Sequence, residues 1–186
     1  MAQFFPALTD QLTRFIEAQH IFFVGTAAAN GTVNVSPKGM DSLKVLAPNR
    51  VIWLNVTGSG NESAAHTLKN PRMTIMMCSF EAKPLILRLY GQARAVHQND
   101  DDWAELSAHL PQLAGTRQIF DLTLDQVQTS CGYAVPFYDY AGERDTLLNW
   151  AENKGEGGLQ DYWREKNQQS IDGFPTLIAE KNLPGQ

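Results

Sequence analysis

At 186 residues, 43% of them hydrophobic, the chain can bury roughly 70% of the surface its unfolded form exposes, so it needs no disulfide framework or structural metal to fold. Its formal charge is −5 and its fifteen Lys and Arg residues are scattered, which excludes the clustered basic footprint of a nucleic-acid binder. Cys78 and Cys131 read as reduced cytosolic thiols, Cys131 as a buried structural one, and no stretch approaches the roughly 20 apolar residues of a membrane span.

The N-terminus carries acidic residues and helical spacing, so it reads as a helix and not as a signal peptide. Leu8, Leu12, Phe15 and Ile16 follow a 3.6-residue period to about His20, with Thr9 or Asp10 as cap. Apolar, β-branched residues 21–27 and residues 32–36 flank Asn30-Gly31, the strongest short hairpin signal. A second hairpin is expected from residues 43–46 and 51–56 around Ala47-Pro48-Asn49-Arg50. A loop at residues 57–60 then leads into a short helix from Asn61, which Asn70-Pro71 terminates.

Residues 73–80 and 85–97 predict two more strands. In the second, Ile86, Arg88 and Tyr90 share one face and Leu85, Leu87 and Leu89 the other. About six strands in hairpin order with one inserted helix make a mostly β chain, a small antiparallel barrel. Beyond residue 99 a helix runs through Trp103 and Leu106 toward Leu110, and residues 122–129 alternate weakly as a strand. The tail holds Leu147, Leu148 and Trp150 on one helix and Tyr162 and Trp163 on another, separated by residues 155–158. This divides the chain into a barrel with its N-terminal helix (1–140) and a C-terminal helical extension (141–186).

Three segments can carry chemistry. Gly58-Ser59-Gly60-Asn61 runs into a helix start, where unpaired N–H groups and the hydroxyls of Ser59 and Ser63 make a phosphate seat; an ordinary helix capped by Asn61 is the plainer reading. Ser36-Pro37-Lys38-Gly39 ends a strand, either as a turn with a solvated lysine or with Lys38 facing a phosphate or an electron-rich ring. Arg88 lies in an apolar strand and needs an anionic partner if it points inward, whereas an outward Arg88, like Arg72, is a surface residue. His20, His66, His97 and His109 show no metal-ligand spacing, and no catalytic group declares itself.

In their order, VNVSPKG (33–39), VIWLNVTGSGNESAAHTLKNPR (51–72), MTIMMCSFEAKPLILRLYGQARAV (73–96) and VQTSCGYAVP (127–136) resemble the pyridoxamine 5′-phosphate oxidase-like family, the FMN-binding split barrels. The resemblance implies a six-stranded split barrel, a homodimer, and flavin mononucleotide (FMN) in clefts between subunits. It implies that Ser36, Pro37, Lys38 and Gly39 line the flavin. Ser59, Gly60, Asn61 and Ser63 then sit at its phosphate, Leu54 and Asn55 touch the isoalloxazine or ribityl chain, and Arg88 reaches the cofactor across the interface. The family's cationic phosphate loop is here Gly-Ser-Gly-Asn-Glu-Ser with Glu62, and the tail is a polar helical one. The implied activity is therefore an oxidoreductase on a small molecule other than vitamin B6. The alternatives are a non-catalytic flavin sensor, or a binder of deazaflavin or haem.

Overall fold

A computed structural model describes residues 2–183; the last three residues of the expected extension lie outside them. Among the described residues the strands form one antiparallel sheet in the order β3-β2-β6-β7-β8-β5-β4, with a short β1 (Gln3–Phe5) added to β8. Its two edge strands, β3 (Asn34–Lys38) and β4 (Leu43–Ala47), are consecutive in the chain. The link between them can span at most about 18 Å, whereas seven strands laid flat are about 29 Å across. The sheet must therefore curl until its edges approach, giving a barrel left open between β3 and β4. Met40 (φ 62°) and Asp41 (φ 52°) make the tight reversal in that link, conformations that cost non-glycine residues free energy. Ser42 offsets part of that cost by donating from its N–H (3.3 Å) and hydroxyl (2.6 Å) to the Gly39 carbonyl.

The barrel interior is filled from alternate positions. Phe22 and Val24 of β2 (Phe22–Thr26), Val51 and Trp53 of β5 (Arg50–Val56), Ile75 and Met77 of β6 (Arg72–Cys78), Leu87 and Leu89 of β7 (Ile86–His97), and Phe120 and Leu122 of β8 (Thr116–Ser130) pack into one core. Trp53 and Phe120 face each other across β5 and β8 and stack at 4.5 Å. Helix α1 (Asp10–Glu17), capped by the Thr9 hydroxyl, lays Leu12 and Ile16 onto this core. Helix α3 (Trp103–Ser107) brings Leu106 to a second core with Ile52, Leu54, Val96 and Ile119. At Gly91 a bulge lets β7 press against β8; a Cβ there would lie 2.0 Å from the Thr123 carbonyl oxygen, so only glycine fits.

Several expectations need correction. Among the described residues the sheet has eight strands where six were expected, within the antiparallel split-barrel class that was expected. The weak strand expected at residues 122–129 is the second half of β8. Its first half escapes notice because Arg117, Gln118 and Asp121 are buried among apolar neighbours and erase the alternation. Asn30-Gly31 does not make a two-residue hairpin; pairing stops at Thr26↔Asn34, and Thr32 of the long loop is held from outside by Asp172. The helix expected to reach Leu110 ends at Ser107. Cys131 is exposed, not buried, because it follows the last residue of β8. The alternation of Arg88 and Tyr90 against Leu87 and Leu89 is as expected.

After β8 the chain runs irregularly to α4 (Thr146–Lys166) and then α5 (Ile178–Asn182). Gly155 breaks α4 with φ 63° and ψ 174°. Trp150 and Tyr162, which a straight helix would hold about 18 Å apart, meet edge to face at 5.2 Å. The chain therefore doubles back at Gly155, separating the two helical segments read from the sequence.

Candidate functional site

A cavity of about 1010 Å³ opens beside the split. One wall is the end of β3, with Pro37, Lys38 and Gly39, together with Thr57, Gly58 and Ser59 after β5. Lys38 lies opposite Phe22 and so points to the barrel side, where its Nζ is 5.5 Å from the Trp53 ring. The facing wall belongs to the extension and carries Tyr138, Tyr140, Trp150 and Tyr162.

The glycine loop is held from behind. Asn167 donates its Nδ2 to the Gly58 carbonyl at 3.1 Å, and Arg117 donates its Nη2 to the Gly60 carbonyl at 3.0 Å and its Nη1 to Asn167 Oδ1 at 2.7 Å. Trp163 donates its indole N–H to the Thr57 hydroxyl at 2.8 Å. In a planar trans peptide the N–H of the next residue points opposite to the carbonyl. With the Gly58 and Gly60 carbonyls turned toward Asn167 and Arg117, the Ser59 and Asn61 amides point the other way. Among the described residues, none of the amides of Ser59, Gly60 and Asn61 donates a hydrogen bond within the chain. Free amides just before α2 (Glu62–Lys69) are donors available to an anion.

The charges nearby match an anion. Arg117 is buried with no carboxylate on it among the described residues, and burial pulls its guanidinium down to about 9. Burial, and then the Arg117 charge, pull Lys38 down to about 8. Both are cations at pH 7 that an incoming anion would stabilise. The amide of Asn61, at the cap position of α2, is buried with neither Nδ2 nor Oδ1 bonded. These features fit a flavin phosphate at the loop, with Lys38 beside it. Glu62 opposes the fit; its carboxylate folds back near Gly60 and accepts the Ile171 N–H at 3.1–3.2 Å.

Of the residues singled out in the sequence, Pro37, Lys38, Gly39 and Ser59 line the cavity. Ser36 stands opposite Val24 on the inner face of β3, and Gly60 and Asn61 lie at the loop's back and at the helix start. Ser63 is buried in a polar cluster with Thr26 and Asn34, and His66 Nδ1 meets the Thr26 hydroxyl at 3.1 Å. Leu54 is in the second core, and Asn55 donates to Gln118 at 3.2 Å. Arg88 lies on the outer sheet face, bonded to the Ser130 hydroxyl at 3.3 Å. Arg88 stands out as an arginine inside an apolar run, whereas the more deeply buried Arg117 is flanked by Thr116 and Gln118 and carries no such signal. The aromatic wall and Asn167 had no local signal.

A family model described as pyridoxamine 5′-phosphate oxidase matches residues 8–131. A pyridoxamine 5′-phosphate oxidase family protein of Aspergillus flavus, ustO, is 36% identical over 206 residues, spanning 100% of this chain and 82% of its own. The fold is also similar to a Lactobacillus delbrueckii protein proposed to be a pyridoxamine 5′-phosphate oxidase (TM-score 0.55, 20% identity, 66% of this chain and 94% of that one). It is similar too to HupZ of Group A Streptococcus (0.53, 15%, 66% and 98%) and to an FAD binding protein of Mycobacterium smegmatis (0.50, 14%, 67% and 96%). With the family model covering most of the barrel and the relative aligned along the whole chain, this protein belongs to the pyridoxamine 5′-phosphate oxidase family.

Proposed function

We propose that the protein binds FMN in this cavity and is an oxidoreductase on a small molecule other than vitamin B6. The observation that carries the reading is the free amides of Ser59, Gly60 and Asn61 in front of buried Arg117, with Ser59 lining the cavity alongside Lys38. The flavin supplies the electron transfer; this chain's residues bind its phosphate, orient it and screen it from water. The loop amides hold the phosphate oxygens, and Lys38 adds charge. A cavity at the upper end of the roughly 300–1,000 Å³ that drug-sized ligands occupy has room for a second molecule, which favours turnover over passive sensing.

The same reading includes a homodimer and a cytoplasmic setting. On the outer sheet face, Pro37, Phe23, Met76, Arg88 and Gln128 form one continuous row across β3, β2, β6, β7 and β8. Val35, 65% exposed, begins the next row. Because Pro37 also borders the cavity, a second copy seated on this face closes the flavin cleft, and Arg88 then serves the cofactor across the interface. Two unpaired cysteines suit a reducing compartment, and no helix among the described residues is long and apolar enough to cross a membrane.

The test is an absorbance spectrum of freshly purified protein, followed by mass spectrometry of what heat releases. FMN is expected, with Asn61→Asp weakening it by setting a charge beside the phosphate. Colourless protein that ignores added FMN overturns the proposal, and release of FAD, deazaflavin or haem replaces the cofactor.

A further inference from the structure

The cavity has two unlike halves. The half at Lys38 and the glycine loop belongs to the family-matched barrel, residues 8–131, whereas the opposite half is built from residues 138–162. That second half is aromatic. Trp150 and Tyr162 meet edge to face at 5.2 Å because of the reversal at Gly155, and Tyr138 and Tyr140 come from the preceding irregular segment. Tyr140 already shows how this wall engages a flat ring, lying on His20 at 3.7 Å and 6°. The charges differ as well. Glu81, Asp139 and Glu143 line the cavity with Arg144, the Tyr140 hydroxyl donates to Glu143 at 2.9 Å, and Lys154, outside the lining, sets its Nζ 5.4 Å from the Trp150 ring and 5.5 Å from that of Tyr162.

We propose that this aromatic corner, formed by Tyr140, Trp150 and Tyr162, is a second binding site, and that its ligand is an uncharged planar aromatic molecule of the size of a phenol. Flat rings gain free energy on aromatic walls beyond the area they bury. Three carboxylates at this end, Glu81, Asp139 and Glu143, outnumber its two cations, Arg144 and Lys154, so a carboxylate on the ligand meets net repulsion, while the cationic half is reserved for the cofactor phosphate. The inference deepens the flavoprotein reading and rests on it, since the ring is the molecule presented to the cofactor.

The probe is 4-fluorophenol, followed by ¹⁹F line broadening on full-length protein, with 4-fluorobenzoate as the anionic counterpart and FMN affinity measured separately. The wild-type chain is expected to bind 4-fluorophenol in preference to 4-fluorobenzoate. Trp150→Ala, Tyr162→Ala and Tyr140→Ser are each expected to weaken it about 3- to 10-fold, with FMN affinity unchanged within about twofold. Tyr140 lies on an exposed segment, so Tyr140→Ser keeps the test open if the helical variants fail to fold. No binding of 4-fluorophenol, equal or tighter binding of 4-fluorobenzoate, or variants that bind like wild type overturn the site. A chain that binds 4-fluorophenol as expected but ignores FMN instead overturns the flavin reading and leaves this corner standing.

Discussion

Arg117 and Asn167 are joined by a 2.7 Å hydrogen bond that ties the barrel wall to the C-terminal extension directly behind the glycine loop. Each also holds a carbonyl of that loop, Arg117 that of Gly60 and Asn167 that of Gly58. The extension therefore sets which way the loop's amides point. Further ties keep it in place, among them Thr32 to Asp172 at 2.8 Å, the Ile171 N–H to Glu62, and Asn182 Nδ2 to the Arg117 carbonyl at 2.7 Å.

Asn167→Ala removes a bond to Arg117 and another to the Gly58 carbonyl, and leaves a buried cation short of an acceptor. A loss of about 2–3 kcal/mol in urea unfolding is expected, together with weaker FMN binding. Trp163→Phe, which deletes the bond to Thr57 and leaves space in the buried cluster with Ile178, Ala179 and Leu183, is expected to cost about 2–3 kcal/mol. Equal stability of Asn167→Ala and wild type would show that the loop holds its shape unaided.

Lys38 makes binding depend on pH. Burial first, and then the charge of Arg117, lower its amine to about 8, so the charge that attracts a phosphate is lost as pH rises through about 8. FMN affinity, followed by fluorescence quenching, is expected to fall across that range. Lys38→Met should bind about tenfold more weakly at pH 7, equivalent to about 1.4 kcal/mol, and lose the fall. An unaltered pH profile in Lys38→Met contradicts a role for this amine.

Asp121 anchors the opposite flank of the barrel. Arg50 binds it through Nε and Nη2 at 2.9 and 3.0 Å, and Arg94 through Nε and Nη2 at 3.2 and 2.9 Å. Burial raises this carboxyl, but the hydrogen bonds from Arg50 and Arg94 outweigh it and hold it below its ordinary value. A depressed carboxyl stabilises the fold above its unfolded value of about 3.9, and that contribution disappears as pH falls below it. Asp121→Asn is expected to cost about 1.5–3 kcal/mol at pH 7. The gap should close toward pH 3 in thermal unfolding; a gap constant with pH would mean that packing, not charge, is at work.

Gly155→Ala should separate the aromatic corner from the barrel. A side chain at φ 63° and ψ 174° enters a region essentially confined to glycine, at a cost of about 1–3 kcal/mol. Loss of the near-ultraviolet circular dichroism contributed by the Trp150–Tyr162 pair is expected alongside retained FMN binding. An unchanged spectrum would show that the reversal does not depend on glycine.

Local chemistry was legible wherever a residue acts within a few positions of itself. Thr9 caps α1, Asn70-Pro71 stops α2, the inner and outer faces of β7 alternate, and the glycines after Lys154 separate two helical segments. Lys38 and Ser59 could be chosen because a strand end and a glycine loop are recognisable from composition. Asn30-Gly31 misled for the complementary reason: the loop around it is governed by Asp172, far along the chain.

The sequence by itself determined the strand pattern, the reversals and the loop that leads into α2, because dihedral preference and hydrophobic period act over short stretches. Only the tertiary structure decided that Arg117, 50 positions from Asn167 and 57 from Gly60, would be buried behind that loop, and that Tyr140, Trp150 and Tyr162 would face it across a cavity. Buried polar groups and cavity walls obey no period; their partners exist only once the barrel has curled and the extension has folded back over its open side.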